Sequence, residues 1–238
     1  MEKRIAIIGA MDEEVEGLSQ TLTPLPKPAS PLLDLPMFHG TISGQDVVVL
    51  RCGIGKVNAA LATQYAIDHF QPSYIVNSGI AGGISEAVQI GDLVLGTSSL
   101  QHDFDAREFG YARGVVPRLA NSTFQADPHL LKLAWQAAER DVETKRLHQG
   151  LIVSGDQFIS SQKQKEEIRD FFPQALCAEM EGAAIAHVAE ANKIPHLIVR
   201  AISDRADGSA PDDFDRYMSD IIPVLNGVIT RLLALLKA

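Results

Sequence analysis

The sequence predicts an α/β protein with a single domain over residues 1–238, in which a mixed, mostly parallel central sheet is flanked by helices in three layers. Two observations predict this class. Short and nearly continuous apolar runs rich in Val and Ile recur along the chain, as expected of strands that are covered on both faces. Helical patterns stand between these runs, and strands that alternate with helices form mostly parallel sheets. The 238 residues are enough to bury a sizeable core.

Six apolar runs are the predicted strands, and a short strand is also expected in "ALCAE". The six runs cover residues 4–10, 46–53, 73–79, 91–100, 150–156 and 196–204. The proline-rich segment 23–36 is expected to form an irregular surface loop, because its five prolines interrupt regular structure. The chain is expected to begin with a strand rather than a signal peptide, since acids follow the first apolar run at once.

Four segments are predicted helices. One covers residues 56–70, and the alanine-rich segment after "AEMEG" is expected to be a buried helix. The segment 127–140 has the pattern of a helix N-terminus, with Asp127 as N-cap and Pro128 at the first helical position. The last segment is amphipathic, and its apolar stripe consists of Ile221, Leu225, Val228, Ile229, Leu232 and Leu236.

Composition excludes several classes of protein. The formal charge is −9 and no run of Lys or Arg occurs, so nucleic acid is not an expected partner. Cys52 and Cys177 each stand inside an apolar run, as buried thiols do in a reducing compartment. No uninterrupted apolar run approaches the roughly 18 residues that a membrane span requires. We therefore expect a soluble cytoplasmic protein without a membrane partner.

Two glycine-rich segments do not match nucleotide-binding motifs. "GIGK" at 53–56 resembles the end of a P-loop, but Leu50 occupies the first glycine position and Val57 replaces the Ser or Thr. "GIAGGIS" at 79–85 lacks the G-x-G-x-x-G spacing and is expected to form a tight turn.

Two histidines are expected to have no catalytic or metal-binding role. "HDFDAREFGY" at 102–111 contains His102 beside acidic residues, but no second histidine stands at ligand spacing, so a solvated loop is expected and no metal. His187 lies in the predicted buried helix and is expected to be a core residue.

Three acidic residues follow apolar segments that are far apart in the sequence. These are Glu14, Glu181 and Asp204. Because the carboxyl ends of parallel strands meet at one edge of a sheet, these acids are expected to converge. Converging carboxylates repel one another, whereas cleavage of a glycosidic bond requires an acid for the leaving group and a base for water. The pattern favours a catalytic site for glycosidic bond cleavage.

Six ordered blocks of the sequence resemble one enzyme family. The blocks are "IIGAMDEEVEGL", "GIGKVNAA", "NSGIAGG", "GLIVSGDQFI", "AEMEGAAIAHV" and "VRAISDRAD". Their order and spacing resemble the 5′-methylthioadenosine/S-adenosylhomocysteine nucleosidases, which have the nucleoside phosphorylase fold. The resemblance extends from Arg4 to the terminal helix and is weakest over 23–36 and 114–123. It implies a purine nucleoside N-ribohydrolase that uses no metal or organic cofactor. Such an enzyme releases adenine and a thioribose from 5′-methylthioadenosine and S-adenosylhomocysteine. It also releases adenine from 5′-deoxyadenosine.

The resemblance also implies catalytic roles. Asp204 matches the general acid that protonates adenine at N7, and Glu14 matches the residue that activates the attacking water. Glu181 matches the acid that holds the ribose hydroxyls. Arg200 and Ser203 match residues that position the water and the acid.

Further positions match substrate-binding residues. Met180 is expected to pack under the sugar, and Glu179 to support the ribose-binding segment. Phe158 is expected to stack on the purine, while the backbone of Ile159 pairs with the purine edge. Ala81 and Gly82 are expected to line the purine and sugar site, and Ile54 and Phe214 are expected to face the 5′ substituent.

Phe109 and Tyr111 match aromatic residues that close the 5′ pocket of a partner subunit, so a homodimer is expected. One position departs from the family pattern. Ile80 stands where some relatives carry a small hydroxyl residue, so a side-chain hydrogen bond at that position is absent here.

Three alternative functions are compatible with parts of this pattern. A purine nucleoside phosphorylase would need cations for phosphate, whereas the first loop carries Asp12, Glu13 and Glu14. An aminodeoxyfutalosine nucleosidase of menaquinone synthesis would share the purine and ribose contacts and differ only in the 5′ pocket. A noncatalytic nucleoside-binding protein would have little need for all three converging acids.

Overall fold

A computed structural model describes residues 3–25 and 35–237, with backbone only for 210–216. Most of the predicted loop 23–36 therefore lies outside the described residues. The strands, in chain order, are β1 (Ile5–Gly9), β2 (Thr23–Pro24), β3 (Met37–Ile42), β4 (Gln45–Arg51), β5 (Tyr74–Gly83), β6 (Leu93–Gln101), β7 (Thr123–Gln125), β8 (Leu147–Ser154), β9 (Ala175–Glu179) and β10 (His196–Asp204). The helices are α1 (Asp12–Thr21), α2 (Lys56–Phe70), α3 (Pro128–Ala138), α4 (Gln162–Phe171), α5 (Gly182–Ala191) and α6 (Ala210–Lys237).

The predicted α/β class with a mixed central sheet is confirmed. The strands β4, β1, β5 and β10 are neighbours in that order and run parallel. A second parallel group consists of β6, β8 and β9. Antiparallel pairing joins β10 to β6 and the end of β5 to β9. These pairings connect β5, β10, β6, β8 and β9 in a closed circuit, so the ends of β5, β9 and β10 are brought together at one place.

Helices cover the two faces of the sheet, which gives the predicted three layers. The helices α1, α3 and α6 pack on one face, where Leu18, Leu130 and Leu225 belong to the same apolar cluster as Val76 of the sheet. On the other face, α2 and α5 pack against β1 and β4 in a second cluster. The chain thus buries both faces of its central strands, as their apolar runs predict.

Most local predictions made from helix signals are confirmed. The side chain of Asp127 accepts a hydrogen bond from the backbone N–H of Leu130 at 2.9 Å, so it caps α3 as predicted. The predicted apolar stripe of α6 is buried except for Leu236, which is half-buried. By length and composition Tyr217–Lys237 could cross a membrane, but this stripe packs against the sheet as in a core helix.

Two loop predictions are wrong in part. Residues 79–83 do not form a tight turn but continue β5, where they pair with β10 and β9. Within 23–36, Thr23 and Pro24 form a short strand paired with β3, because an edge position tolerates proline. The thiols of Cys52 and Cys177 are free and buried, as expected.

Candidate active site

A cavity of about 530 Å³ lies where the ends of β1, β5, β9 and β10 meet. It brings together the three acidic residues that the sequence predicted to converge, Glu14, Glu181 and Asp204. The other lining residues are Ala10, Met11, Ile54, Ile80, Ala81, Gly82, Phe158, Ala178, Glu179, Met180 and Ser203. A largely apolar wall with a few polar groups is typical of a small-molecule site.

Glu14 lies in the first turn of α1, and its carboxylate is held by backbone donors from two strand ends. One oxygen accepts hydrogen bonds from the N–H of Ala10 at 2.6 Å and of Met11 at 3.2 Å. The other accepts from Ile80 N–H at 3.0 Å. Burial raises the pKa of Glu14 above its ordinary value, although Arg200 and these N–H groups oppose the shift. A carboxyl with a raised pKa is suited to taking a proton near neutral pH.

Gly79 in β5 leaves the space that the carboxylate of Glu14 occupies. A Cβ atom at Gly79 would lie 2.4 Å from Oε1 of Glu14 and 3.1 Å from Nη1 of Arg200. A side chain at this position would displace the carboxylate of Glu14, since Cβ contacts under 3.0 Å are essentially never seen. The glycines of 79–83 therefore serve close approach within a strand, which explains why the predicted turn is wrong.

Asp204 ends β10 at the opposite part of the cavity and is almost fully buried. Its Oδ1 accepts a hydrogen bond from the N–H of Ala206 at 2.7 Å, and its Oδ2 accepts one from the hydroxyl of Ser203 at 2.7 Å. A Cβ at Gly82 would lie 2.8 Å from Oδ1 of Asp204. The carboxyl is thus fixed at the cavity wall by its own segment and by the end of β5.

Glu179 and Arg200 form a buried ion pair beneath the cavity. Arg200 also donates to the side-chain oxygen of Asn77, and Ser154 donates to Glu179. Glu179 accepts two further hydrogen bonds, from the N–H groups of Glu181 at 3.2 Å and of Gly182 at 2.7 Å. The network therefore fixes the backbone that carries Glu181.

Glu181 faces the loop before α2. Its carboxylate accepts a hydrogen bond from the N–H of Gly55 at 2.8 Å. Burial and then the charge of Glu179 raise the pKa of Glu181 above its ordinary value. Because its carboxylate has one hydrogen-bond donor among the described residues, Glu181 retains lone pairs that can accept hydrogen bonds from hydroxyl groups of a ligand.

The segment 102–111 is only in part the solvated loop that the sequence predicted, because Asp105 and residues 107–111 are exposed. His102 is buried, and burial lowers its pKa. Asp103 pairs with Lys56 at 2.6 Å and accepts a hydrogen bond from Asp156 N–H at 2.9 Å. These contacts tie the loop of Gly55 to the loop of Phe158, on two sides of the cavity. Among the side chains described, those of residues 3–25, 35–209 and 217–237, no group of three His, Cys, Asp or Glu is arranged to hold a metal ion.

Some predicted site residues do not line the cavity of this single chain. Arg200 lies behind Glu179. The side chain of Ile159 lines a smaller neighbouring cavity with His102 and Phe172. Phe109 and Tyr111 lie on the surface and do not line the cavity. The side chain of Phe214 lies outside the described residues.

Two polar residues that support the site were not identified in the sequence. Asn77 holds Arg200 and also donates to the carbonyl of Ile8 at 2.8 Å, and Ser154 holds Glu179. Each ends or interrupts an apolar run of a buried strand. That position is a usable signal, because buried polar side chains are nearly always hydrogen-bonded.

Comparisons with known proteins match most of the chain. A family model described as the phosphorylase superfamily matches residues 4–238. A 5′-methylthioadenosine/S-adenosylhomocysteine nucleosidase of Actinobacillus succinogenes is 40% identical over 215 residues, 90% of this chain and 91% of that protein. The nucleosidase of that name from Neisseria meningitidis, solved with methylthio-immucillin-A, has a TM-score of 0.92 at 37% identity and covers 98% and 99% of the two chains. A futalosine hydrolase of Helicobacter pylori has a TM-score of 0.88 at 30% identity, with 97% of each chain covered.

Proposed function

The chain belongs to the phosphorylase superfamily, within its 5′-methylthioadenosine/S-adenosylhomocysteine nucleosidases, and on that premise we propose that it hydrolyses the N-glycosidic bonds of both compounds. The products are adenine and the corresponding thioribose, and 5′-deoxyadenosine is a further substrate. The observation that carries this proposal is the convergence of Glu14, Glu181 and Asp204 on one cavity. The reaction would serve methionine salvage in the cytoplasm.

In the proposed chemistry, Asp204 acts on the purine base and Glu14 acts on the water that attacks the sugar. Asp204 donates a proton to N7 of the purine while the bond from C1′ to N9 breaks and its electron pair passes to the base. Glu14 takes a proton from water, and the water oxygen bonds to C1′. Negative charge near the ring stabilises the oxocarbenium-like transition state.

The remaining cavity residues hold the substrate in this proposal. Glu181 accepts hydrogen bonds from the ribose hydroxyls, and Met180 packs under the sugar. Phe158 is half exposed at the cavity and stacks on the purine, whose edge pairs with the backbone of Ile159. Arg200 acts indirectly, by fixing Glu179 and by its charge near Glu14.

Hydrolysis is favoured over phosphorolysis by the charges around the cavity. The guanidinium of Arg200 is already paired with Glu179, and Arg51 does not line the cavity that contains Glu14 and Asp204. Glu14 lies next to the position proposed for the attacking nucleophile, so its negative charge would repel a phosphate dianion at that position. We therefore expect water to be the nucleophile.

Adenine release from 5′-methylthioadenosine should proceed at the same rate with and without phosphate. The measurement is a coupled adenine assay in phosphate-free buffer and in the same buffer with added phosphate, with the sugar product identified by mass. A strict phosphate requirement, with thioribose 1-phosphate as product, would contradict the proposal. A second candidate substrate, aminodeoxyfutalosine, is motivated by the likeness to the futalosine hydrolase and belongs in the same panel.

We further propose that the enzyme is a homodimer. Several large apolar side chains are exposed on the single chain, with Phe109 82% and Val57 70% accessible, and Ile54 at the cavity is about half exposed. Burying such side chains against a second copy would remove apolar area from water. In the dimer, Phe109 and Tyr111 would close the 5′ end of the partner's cavity.

The double variant Phe109→Ala with Tyr111→Ala should weaken dimerisation and raise KM for 5′-methylthioadenosine more than for adenosine, because the lost contacts are apolar and meet the 5′ group. Sedimentation equilibrium and steady-state kinetics measure the two effects. Leu119→Ala is a matched control, since Leu119 is 39% exposed like Tyr111. A wild-type protein that is monomeric and fully active at the assay concentration would refute the shared site.

A further inference from the structure

A second cavity of about 470 Å³ adjoins the active-site cavity and shares part of its wall. Ala10, Met11 and Ile54 line both cavities. The other walls of the second cavity are mainly polar and consist of Asp12, Glu13, Arg51, Gly53 and Asn58. We propose that this second cavity is a subsite for the amino-acid end of S-adenosylhomocysteine, with Arg51 binding the carboxylate and the neighbouring acids binding the ammonium group.

The position of the second cavity fits the 5′ end of a bound nucleoside. This step rests on the proposed function, in which the base lies at Asp204 and the sugar lies between Glu14 and Glu181. Asp204 and Ser203 line only the active-site cavity, whereas Met11 and Ile54 form the wall between the two. A short methylthio group would end at this apolar wall, while a longer homocysteine group would pass it and reach the polar cavity.

Arg51 has donors available for a carboxylate. Among the described residues its side chain makes one hydrogen bond, from Nη1 to Oδ2 of Asp12 at 2.7 Å. Its Nε is buried and has no hydrogen-bond partner in that part of the chain. A guanidinium carries five N–H donors in a planar fork that matches a carboxylate. A partly exposed ion pair contributes little to stability, so Arg51 can exchange or share its partner at small cost.

The two acids supply the opposite charge. Asp12 and Glu13 are exposed in the first turn of α1, and neither lines the active-site cavity. An α-amino acid carries a carboxylate and an ammonium group on one carbon. A cavity with one arginine and two carboxylates is complementary to that zwitterion. A purely anionic 5′ group would leave the carboxylates unmatched, and a purely apolar group would leave the arginine unmatched as well.

The test compares Arg51→Met with the wild type on three substrates. These are S-adenosylhomocysteine, 5′-methylthioadenosine, and 5′-deoxy-5′-(3-aminopropylthio)adenosine, which keeps the ammonium group but lacks the carboxylate. We expect kcat/KM for S-adenosylhomocysteine to fall about tenfold relative to 5′-methylthioadenosine, mainly through KM, as for the loss of one charge-assisted hydrogen bond. The aminopropyl compound should follow 5′-methylthioadenosine.

Two further variants complete the experiment. Arg169→Met is the matched control, because it removes a surface ion pair in which Nη1 of Arg169 lies 3.0 Å from Oε1 of Glu86. Neither residue lines either cavity. If Arg51→Met does not fold, Arg51→Gln provides the same comparison. An equal fall for all three substrates, or no fall for S-adenosylhomocysteine, overturns the subsite alone. A wild type that releases adenine from none of them overturns the proposed function and the subsite with it.

Discussion

Replacing Asp204 by Asn should lower kcat for 5′-methylthioadenosine by about 10²- to 10⁴-fold, the usual contribution of a general acid. The amide has no proton to give to the departing base. Its oxygen can still accept from the N–H of Ala206, and its nitrogen can donate to the hydroxyl of Ser203, so the local structure should persist. Single-turnover adenine release measures the chemical step, and isothermal titration with adenine tests whether ligand binding is retained.

Asp207→Asn is the matched control for this variant. Asp207 lies three residues further along the chain, and its carboxylate accepts from Ser209 rather than facing the cavity. Its activity should stay close to that of the wild type. Retention by Asp204→Asn of more than roughly a tenth of the wild-type turnover, with chemistry still rate-limiting, would remove Asp204 from the role of acid.

The convergence of the three acids was predictable because each follows an apolar segment whose direction is fixed by the α/β pattern. Glu14 comes after β1, Glu181 comes after β9, and Asp204 ends β10. In such a fold the polar residues at the carboxyl ends of buried strands share one edge. The sequence therefore contains the information for which side chains meet, even without their distances.

The support beneath the site was not predictable in the same way. The pairing of Arg200 with Glu179 and Asn77 joins three strands, and it depends on which strands are neighbours. Strand order does not follow from local pattern, and here β5 lies between β1 and β10, far from its neighbours in sequence. The prediction of a tight turn at 79–83 was wrong for a related reason. The glycines of this segment make room for Glu14 and Asp204, which come from other elements.

The Lys56–Asp103 pair was missed for a different reason. Its residues stand in segments that were interpreted separately, one as a failed P-loop and the other as a solvated loop. Neither segment alone indicates a functional role. Only the fold shows that their contact joins two sides of the cavity.

Glu14→Gln should lower kcat/KM for 5′-methylthioadenosine by about 10²- to 10⁴-fold, because a carboxamide cannot take the proton of the attacking water. The change keeps the size of the side chain, but the one oxygen of Gln can accept from the N–H of Ala10 or from the N–H of Ile80 and not from both, since these groups bond to different oxygens of Glu14. Glu16→Gln is the matched control on the same helix, since Glu16 is exposed and, among the described residues, bonds only within α1. It should retain the wild-type rate.

The pH profile separates loss of a base from loss of structure. Burial raises the pKa of Glu14 above its ordinary value of 4.5. Only the ionised form accepts a proton, so activity should be full above the raised pKa and lost as the pH falls through it. The acid limb of kcat/KM for the wild type and for Glu16→Gln should therefore lie above pH 4.5, and the residual activity of Glu14→Gln should lack that limb. Persistence of the same limb in Glu14→Gln would assign it to another group and would remove Glu14 from the role of base.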